Sequence, residues 1–105
     1  MNLADNYFKR TPLLIAAIQG LPEIVKALID FGADVNLADI NKWTPLHGAA
    51  YHGRIEIAQA LIDAGADVSP RTLYQDTPLD YADERGHCEI IRVLIDAGAN
   101  ESSSS

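Results

Sequence analysis

The chain has 105 residues, enough for one domain that buries somewhat over ~60% of its unfolded surface. With 48% hydrophobic and 22% charged residues it is too apolar for disorder, and no apolar run nears the ~18 residues of a membrane span. A net charge of −7 argues against nonspecific binding to nucleic acid or anionic lipid, and a single cysteine, Cys88, rules out an intramolecular disulfide.

Met1 to Asp5 lack the basic-then-apolar layout of a signal peptide, and with the lone cysteine this points to a reducing, cytoplasmic compartment. Asn6 to Arg10 make a polar and aromatic approach to the first element. Thr11-Pro12-Leu13 then reads as a helix start: a threonine N-cap followed by a proline whose fixed φ and missing N–H suit the first helical position. Gly20 ends that helix. A second helix follows, with Ile24, Val25, Leu28 and Ile29 at helical spacing and Gly32 as its stop.

The same design returns 33 residues later as Thr44-Pro45-Leu46 with Gly53, then Ile57, Ala58, Leu61 and Ile62 before Gly65. It returns again as Thr77-Pro78-Leu79 with Gly86, then Ile90, Ile91, Leu94 and Ile95 before Gly98. Glu23, Glu56 and Glu89 lie in the first turn of the second helices, where a carboxylate favours the positive end of the helix dipole. Short connectors at 38–43 and 71–76 join the units. Two short helices cannot bury their apolar stripe alone, but three units at a fixed period can, each covering the next. The expected organisation is one domain, 1–105, with repeats at about 6–38, 39–71 and 72–100 and a frayed end, Glu101 to Ser105.

The charge is uneven. Residues 1–38 and 39–71 each carry four acids against three bases, and residues 72–105 carry seven against two. The net values are −1, −1 and −5, so the C-terminal third is the acidic end. That third supplies the polar terminal unit a solenoid needs, whereas Leu14, Ile15, Ile18, Leu21 and Phe31 leave the first unit apolar.

These features resemble the ankyrin-repeat family. The resemblance rests on Thr44-Pro45-Leu46-His47, Ala49-Ala50, Gly53, Glu56-Ile57, Leu61 and Gly65-Ala66-Asp67-Val68, with Gly32-Ala33-Asp34-Val35-Asn36 and Gly98-Ala99-Asn100 beside them. It covers roughly residues 6–100 and implies an all-α solenoid of helix–turn–helix repeats with short hairpin-like connectors. Three departures stand out. Lys9, Lys42 and Gln75 occupy a position where the family often has glycine, so looser connector turns are expected. The family histidine is present only as His47, with Leu14 and Asp80 at the equivalent places. Asn6 and Thr72 replace the acidic residue that Asp39 keeps at the start of a unit.

Catalytic and metal readings find little support. His47 and His52 are five apart, unlike the i, i+4 pair of a zinc helix, and no Cys or carboxylate completes a tetrahedral set. By resemblance His47 bonds neighbouring repeats and His87 is structural. Cys88 lacks a Cys-x-x-Cys partner and sits beside Glu89, which opposes thiolate formation, so a semi-buried inert thiol is expected. Asp80, Asp83 and Glu84 share one short helix without an oxygen-rich loop and read as a solvated face. The sequence reads as no enzyme, with no catalytic residue, cofactor or metal.

What remains is surface. The resemblance implies a protein-binding strip made of connector tips and the exposed face of each first helix. Position by position, that strip is Tyr7, Phe8, Arg10, Ile18 and Gln19; then Ile40, Asn41, Trp43, Tyr51 and His52; then Leu73, Tyr74, Asp76, Glu84 and Arg85. Five of the chain's seven aromatic residues fall in it, a composition typical of binding hot spots. The expected function is a noncatalytic protein–protein interaction module whose unidentified partner has apolar surface and, near the third unit, basic groups. The rival reading is a homo-oligomeric repeat scaffold, natural or engineered, packing through the apolar first unit or the tips. Neither nucleic acid nor membrane is an expected partner.

Overall fold

A computed structural model describes residues 11–98. Among these residues there are six helices and no strand: α1 (Pro12–Gln19), α2 (Pro22–Asp30), α3 (Pro45–His52), α4 (Ile55–Asp63), α5 (Pro78–Arg85) and α6 (Cys88–Asp96). They form three antiparallel pairs, α1–α2, α3–α4 and α5–α6. Each first helix packs on the next first helix, and each second helix on the next second helix.

The helix starts follow the sequence signal. The hydroxyls of Thr11, Thr44 and Thr77 accept the amides of Leu14, His47 and Asp80 at 3.1, 3.4 and 3.2 Å. In α3 and α5 the third helical residue returns the bond. His47 Nδ1 accepts the Thr44 amide at 3.0 Å, and Asp80 Oδ2 accepts the Thr77 amide at 2.9 Å. Two orphan amides are satisfied at each of these ends. Leu14 has no polar atom with which to do this, so α1 keeps half of the device.

The second helices end in the Gly-Ala-Asp segments for a geometrical reason. The amide of Ala33 bonds the carbonyl of Leu28 at 3.0 Å while that of Gly32 bonds Ile29 at 2.9 Å. Ala66 and Gly65 repeat this on Leu61 and Ile62, both at 3.0 Å. The paired bonds of this helix stop require a left-handed residue, and Gly32 and Gly65 take φ of 91° and 94°.

The core runs continuously through the three pairs. Leu13, Leu46 and Leu79 from the first helices meet Val25, Ile57, Leu61, Ile90 and Leu94 from the second. Ala16, Ala17, Ala49, Ala50 and Ala82 let neighbouring first helices approach closely. Each fully buried Leu or Ile contributes ~1.5–3 kcal/mol relative to exposure. Gly48 serves the same closeness, since a Cβ there would stand 3.0 Å from Ile18 Cγ1 and 3.3 Å from Leu14 Cδ1. On the outer side an exposed ion pair joins Lys26 Nζ to Glu56 Oε2 at 2.8 Å, between α2 and α4.

The first pair differs from the sequence expectation. Leu14 is fully buried, and Ile15 and Ile18 are half-buried, so only Leu21 and Phe31 of the five remain exposed. Ile24 joins them at 49% exposed, although its counterparts Ile57 and Ile90 are buried against the preceding pair.

The connector turns also depart from expectation. Lys42 and Gln75 adopt φ of 64° and 68°, the left-handed conformation that glycine supplies elsewhere. Each connector is a tight hairpin. The Lys42 amide bonds the Asp39 carbonyl at 2.9 Å and the Asp39 amide bonds Trp43 at 3.0 Å; Gln75–Thr72 and Thr72–Asp76 repeat the pattern at 2.9 and 3.0 Å. The turns are not looser. A side chain simply accepts the strained backbone. A left-handed L-residue costs roughly 1–2 kcal/mol, and glycine's extra freedom in the unfolded chain offsets roughly 0.4–1 kcal/mol of that. Lys42→Gly and Gln75→Gly are therefore expected to raise stability by about 0.5–1 kcal/mol each. Denaturant unfolding of the two variants, with Lys42→Ala as an unimproved control, checks this.

Candidate functional site

The two described connectors are built to hold their tips. Asp39 Oδ1 accepts the amides of Asn41 at 2.8 Å and Trp43 at 3.0 Å. Thr72 Oγ1 does the same work for Tyr74 at 3.1 Å and Asp76 at 3.3 Å. The replacement of an acid by threonine is thus conservative in geometry. Both residues are buried, at 7% and 2% exposed. The Leu73 amide bonds the Asn41 carbonyl at 3.0 Å, tying one tip to the next. Lower down, Asn36 Oδ1 accepts the Asp67 amide at 2.7 Å.

His47 fixes the second tip to the helices. Its ring is completely buried in α3. Nδ1 accepts from the Thr44 amide, which leaves the proton on Nε2, and Nε2–H donates to the Asp76 carbonyl at 3.0 Å. Burial pushes its pKa below the ordinary value, and bonds to the carbonyls of Asp76 and Pro70 only partly oppose that shift. The expected inter-repeat role of this histidine is what the geometry displays.

Arg54 and His87, the residues after Gly53 and Gly86, provide a second backward link. Arg54 Nη2 donates to the Ile18 carbonyl at 3.2 Å and His87 Nε2–H to the Tyr51 carbonyl at 3.1 Å. Each thereby caps the end of the preceding first helix. Their side chains lie over Gly20 and Gly53, where a Cβ would stand 2.7 Å from the Arg54 guanidinium and 2.9 Å from the His87 ring. His87 also lines a groove of about 260 Å³ with Cys88 and Glu89. Within that groove the Nε2–H of His87 is engaged by the Tyr51 carbonyl. Cys88 is exposed rather than semi-buried, because it stands in the first turn of α6, outside the apolar stripe. Among the described residues no group of three His, Cys, Asp or Glu is placed to hold a metal ion.

Against this frame a cluster of rings assembles. Trp43 lies 5.0 Å from Tyr81, 5.5 Å from Tyr51 and 6.1 Å from His47, centroid to centroid. Tyr51 meets Tyr81 edge to face at 5.6 Å and His52 at 5.0 Å. The Arg85 guanidinium sits over Tyr51, 4.6 Å from the ring centre. Trp43 and Tyr51 are half-buried, while His52, Glu84 and Arg85 are exposed.

The other strip residues are more scattered. Ile40, Leu73 and Tyr74 stand out from the tips at 44%, 54% and 70% exposed. Asn41 and Asp76 are half-buried, with their carbonyls engaged by Leu73 and His47. Ile18 is half-buried over Gly48, and Gln19 is exposed. Tyr7, Phe8 and Arg10 lie outside the described residues.

Tyr81 was missed by the sequence reading, and it is central. It is 7% exposed, and burial raises its phenol pKa, a rise that the neighbouring Thr72 hydroxyl partly opposes. A signal was present. Positions 48 and 81 are equivalent, as are 18 and 51, and each member of the first set touches one of the second from the preceding unit. Where Gly48 makes room for Ile18, Tyr81 fills the space against Tyr51 and Trp43.

The buried neutral histidine gives a pH dependence of definite sign. The unfolded chain protonates His47 near its ordinary pKa of about 6.5, whereas the native state resists until lower pH. Protonation would put a donor on Nδ1 facing the Thr44 amide. His47 thus contributes stability that is fully present above about 6.5 and is lost progressively as pH falls from there to the lower native value. Melting temperatures between about pH 7.5 and 5.5 should fall for the wild type and fall less for His47→Gln, from a lower start.

Comparison with known proteins follows the same lines. The family described as ankyrin repeats (3 copies) matches residues 1–72, and the ankyrin repeat itself matches residues 74–104. A stretch of 36 residues is 53% identical to part of the serine/threonine-protein kinase VIK of Arabidopsis thaliana, covering 34% of this chain and 8% of that protein. The crystal structure of the human ASB11 ankyrin repeat domain superposes with a TM-score of 0.84 at 40% identity, over 87% of this chain and 41% of that one. The chain therefore spans less than half of either relative.

Proposed function

The chain belongs to the ankyrin-repeat family, and from that premise we propose that it is a noncatalytic protein-interaction module. It binds a partner protein through its concave face and connector tips, and a reducing, cytoplasmic setting fits the single exposed cysteine. Among the described residues no helix is long and apolar enough to cross a membrane. The observation that carries the reading is the locked tip. Asp39, Thr72 and His47 hold the backbone beneath Trp43, Leu73 and Tyr74 by hydrogen bonds before any partner arrives. Little ordering entropy is then lost on binding, and the aromatic side chains provide large contact areas.

Trp43 has two roles in this reading. Its packing on Tyr51, Tyr81 and His47 makes it part of the framework as well as of the strip. Trp43→Ala is expected to cost about 1–2 kcal/mol of stability, below the ~3–5 kcal/mol of a fully buried aromatic residue, and to weaken binding too. Tyr74, at 70% exposed, separates the two effects. Tyr74→Ala should leave stability within about ±0.5 kcal/mol while reducing capture of a partner selected from a displayed protein library on the wild-type chain. Unchanged capture by both variants would remove the strip from the reading.

The rival, a self-associating scaffold, draws on Phe31, 90% exposed, with Ile24 and Leu37 near one half exposed in the same 33-residue unit. Large apolar side chains left exposed on one unit can meet a partner, and a second copy is one such partner. Sedimentation at increasing concentration is expected to give a constant monomer mass if the module reading is right. A mass that rises with concentration and returns to that of a monomer in Phe31→Ser would favour the scaffold instead.

A further inference from the structure

The protein already carries a cation on its aromatic cluster. Arg85 reaches from the last turn of α5 to Tyr51 on α3 and lays its guanidinium 4.6 Å from the ring centre. Arg85 is exposed, and although Asp83 and Glu84 precede it directly, it makes no ion pair with any described residue. The ring, not a carboxylate, holds it. Trp43 stands 5.5 Å from the same tyrosine and is only half-buried, so a second aromatic surface lies next to the occupied one.

We infer that the face of Tyr51 is a receiving site for an arginine side chain of the partner protein, with Arg85 as a displaceable internal occupant. The inference rests on the interaction-module reading above and names the chemistry of the partner. Three observations carry it. The occupant identifies the ligand class, because a planar guanidinium stacks on aromatic faces in a way that a compact ammonium does not. The occupant is also weakly held. An exposed cation–π contact is modest in strength, and Arg85 hangs on a long stem at a helix end, so exchange is easy. The surrounding charge favours a basic partner as well. Residues 72–98 carry Asp76, Asp80, Asp83, Glu84, Glu89 and Asp96 against only Arg85 and Arg92, within a chain of net charge −7. That field attracts a basic segment and weakens with added salt.

Exchange makes an unusual demand. Removing a native contact should improve binding. Trp43 is the only tryptophan, so its fluorescence reports events at the adjacent ring. The experiment titrates the full chain with a blocked Gly-Gly-Arg-Gly-Gly peptide, its citrulline counterpart and its lysine counterpart. The wild type should respond weakly to the arginine peptide, and Arg85→Ala should bind it about two- to fivefold more tightly, the factor an exposed cation–π contact represents. Tyr51→Leu should abolish the response, Tyr51→Phe should keep it, and citrulline should give none. Far-UV circular dichroism confirms that each variant is folded. Affinity of Arg85→Ala equal to or below that of the wild type overturns the exchange. An equal response to citrulline overturns the cation site, and an equal response to lysine overturns the preference for guanidinium. If the arginine peptide is silent while Tyr74→Ala still impairs partner capture, the arginine site fails and the interaction module stands.

Discussion

One buried imidazole connects the parts of this molecule that neither repeat could join alone. His47 takes the amide of Thr44 on one nitrogen and gives its proton to the carbonyl of Asp76, 29 residues further on, from the other. Both ends of that bridge are backbone groups. The ring therefore specifies where the second connector lies relative to α3 whatever side chains the connector displays. Without the ring the buried Thr44 amide would be left unpaired, at a cost of ~1–3 kcal/mol, and the Asp76 carbonyl would keep only the Thr72 amide. The hairpin on Thr72, the tip carrying Tyr74 and the phenol of Tyr81 all lie downstream of that placement. Protonation of Nδ1 would remove the bond accepted from the Thr44 amide while Nε2–H keeps the Asp76 carbonyl, and burial holds the ring neutral to lower pH than usual.

Elsewhere the 33-residue period preserves a task while the chemistry changes. An aspartate carboxylate and a threonine hydroxyl each bind two amides of a connector. A histidine and an aspartate each close a capping box. An arginine and a histidine each reach back to the last carbonyls of the preceding first helix. What is held constant is the position of a donor or acceptor in space. At one place the period is used differently. Gly48 and Tyr81 are equivalent, yet one allows α1 to approach α3 and the other closes a ring cluster between α3 and α5. The same contact is close backbone packing in one unit and aromatic packing in the next. For this reason stability and binding overlap at Trp43, whose packing partners are framework residues and whose open side belongs to the proposed strip.

Much of this was legible from residue order. Thr-Pro pairs, isolated glycines and apolar residues at helical spacing are local signals, governed by the chain a few residues away. They located the six helices, their caps and the stacking of the units. His47 was assigned its bridging role through resemblance rather than through spacing, and the atoms bear that role out. Residue order is silent where a residue's state depends on a neighbouring unit. Lys42 and Gln75 lack the glycine that would advertise a left-handed turn, and the turn forms because the hairpin bonds around it impose one. Leu14 counted as surface in a one-dimensional tally and is buried beside Gly48.

The sequence by itself determined the period, and with it the helix pairs, because capping and apolar spacing act within a turn or two of helix. The tertiary structure alone decided which side chains meet. Tyr81 reaches Trp43 across 38 positions, and Arg85 lies on Tyr51 across 34. No local rule relates such residues, since their distance depends on how far one repeat is shifted and turned against the next. That offset is fixed by buried alanines, by Gly48 and by the histidine bridge. The Thr-Pro-Leu-His stretch was thus readable as a helix start, whereas its outward neighbours acquired their partners only when the units stacked.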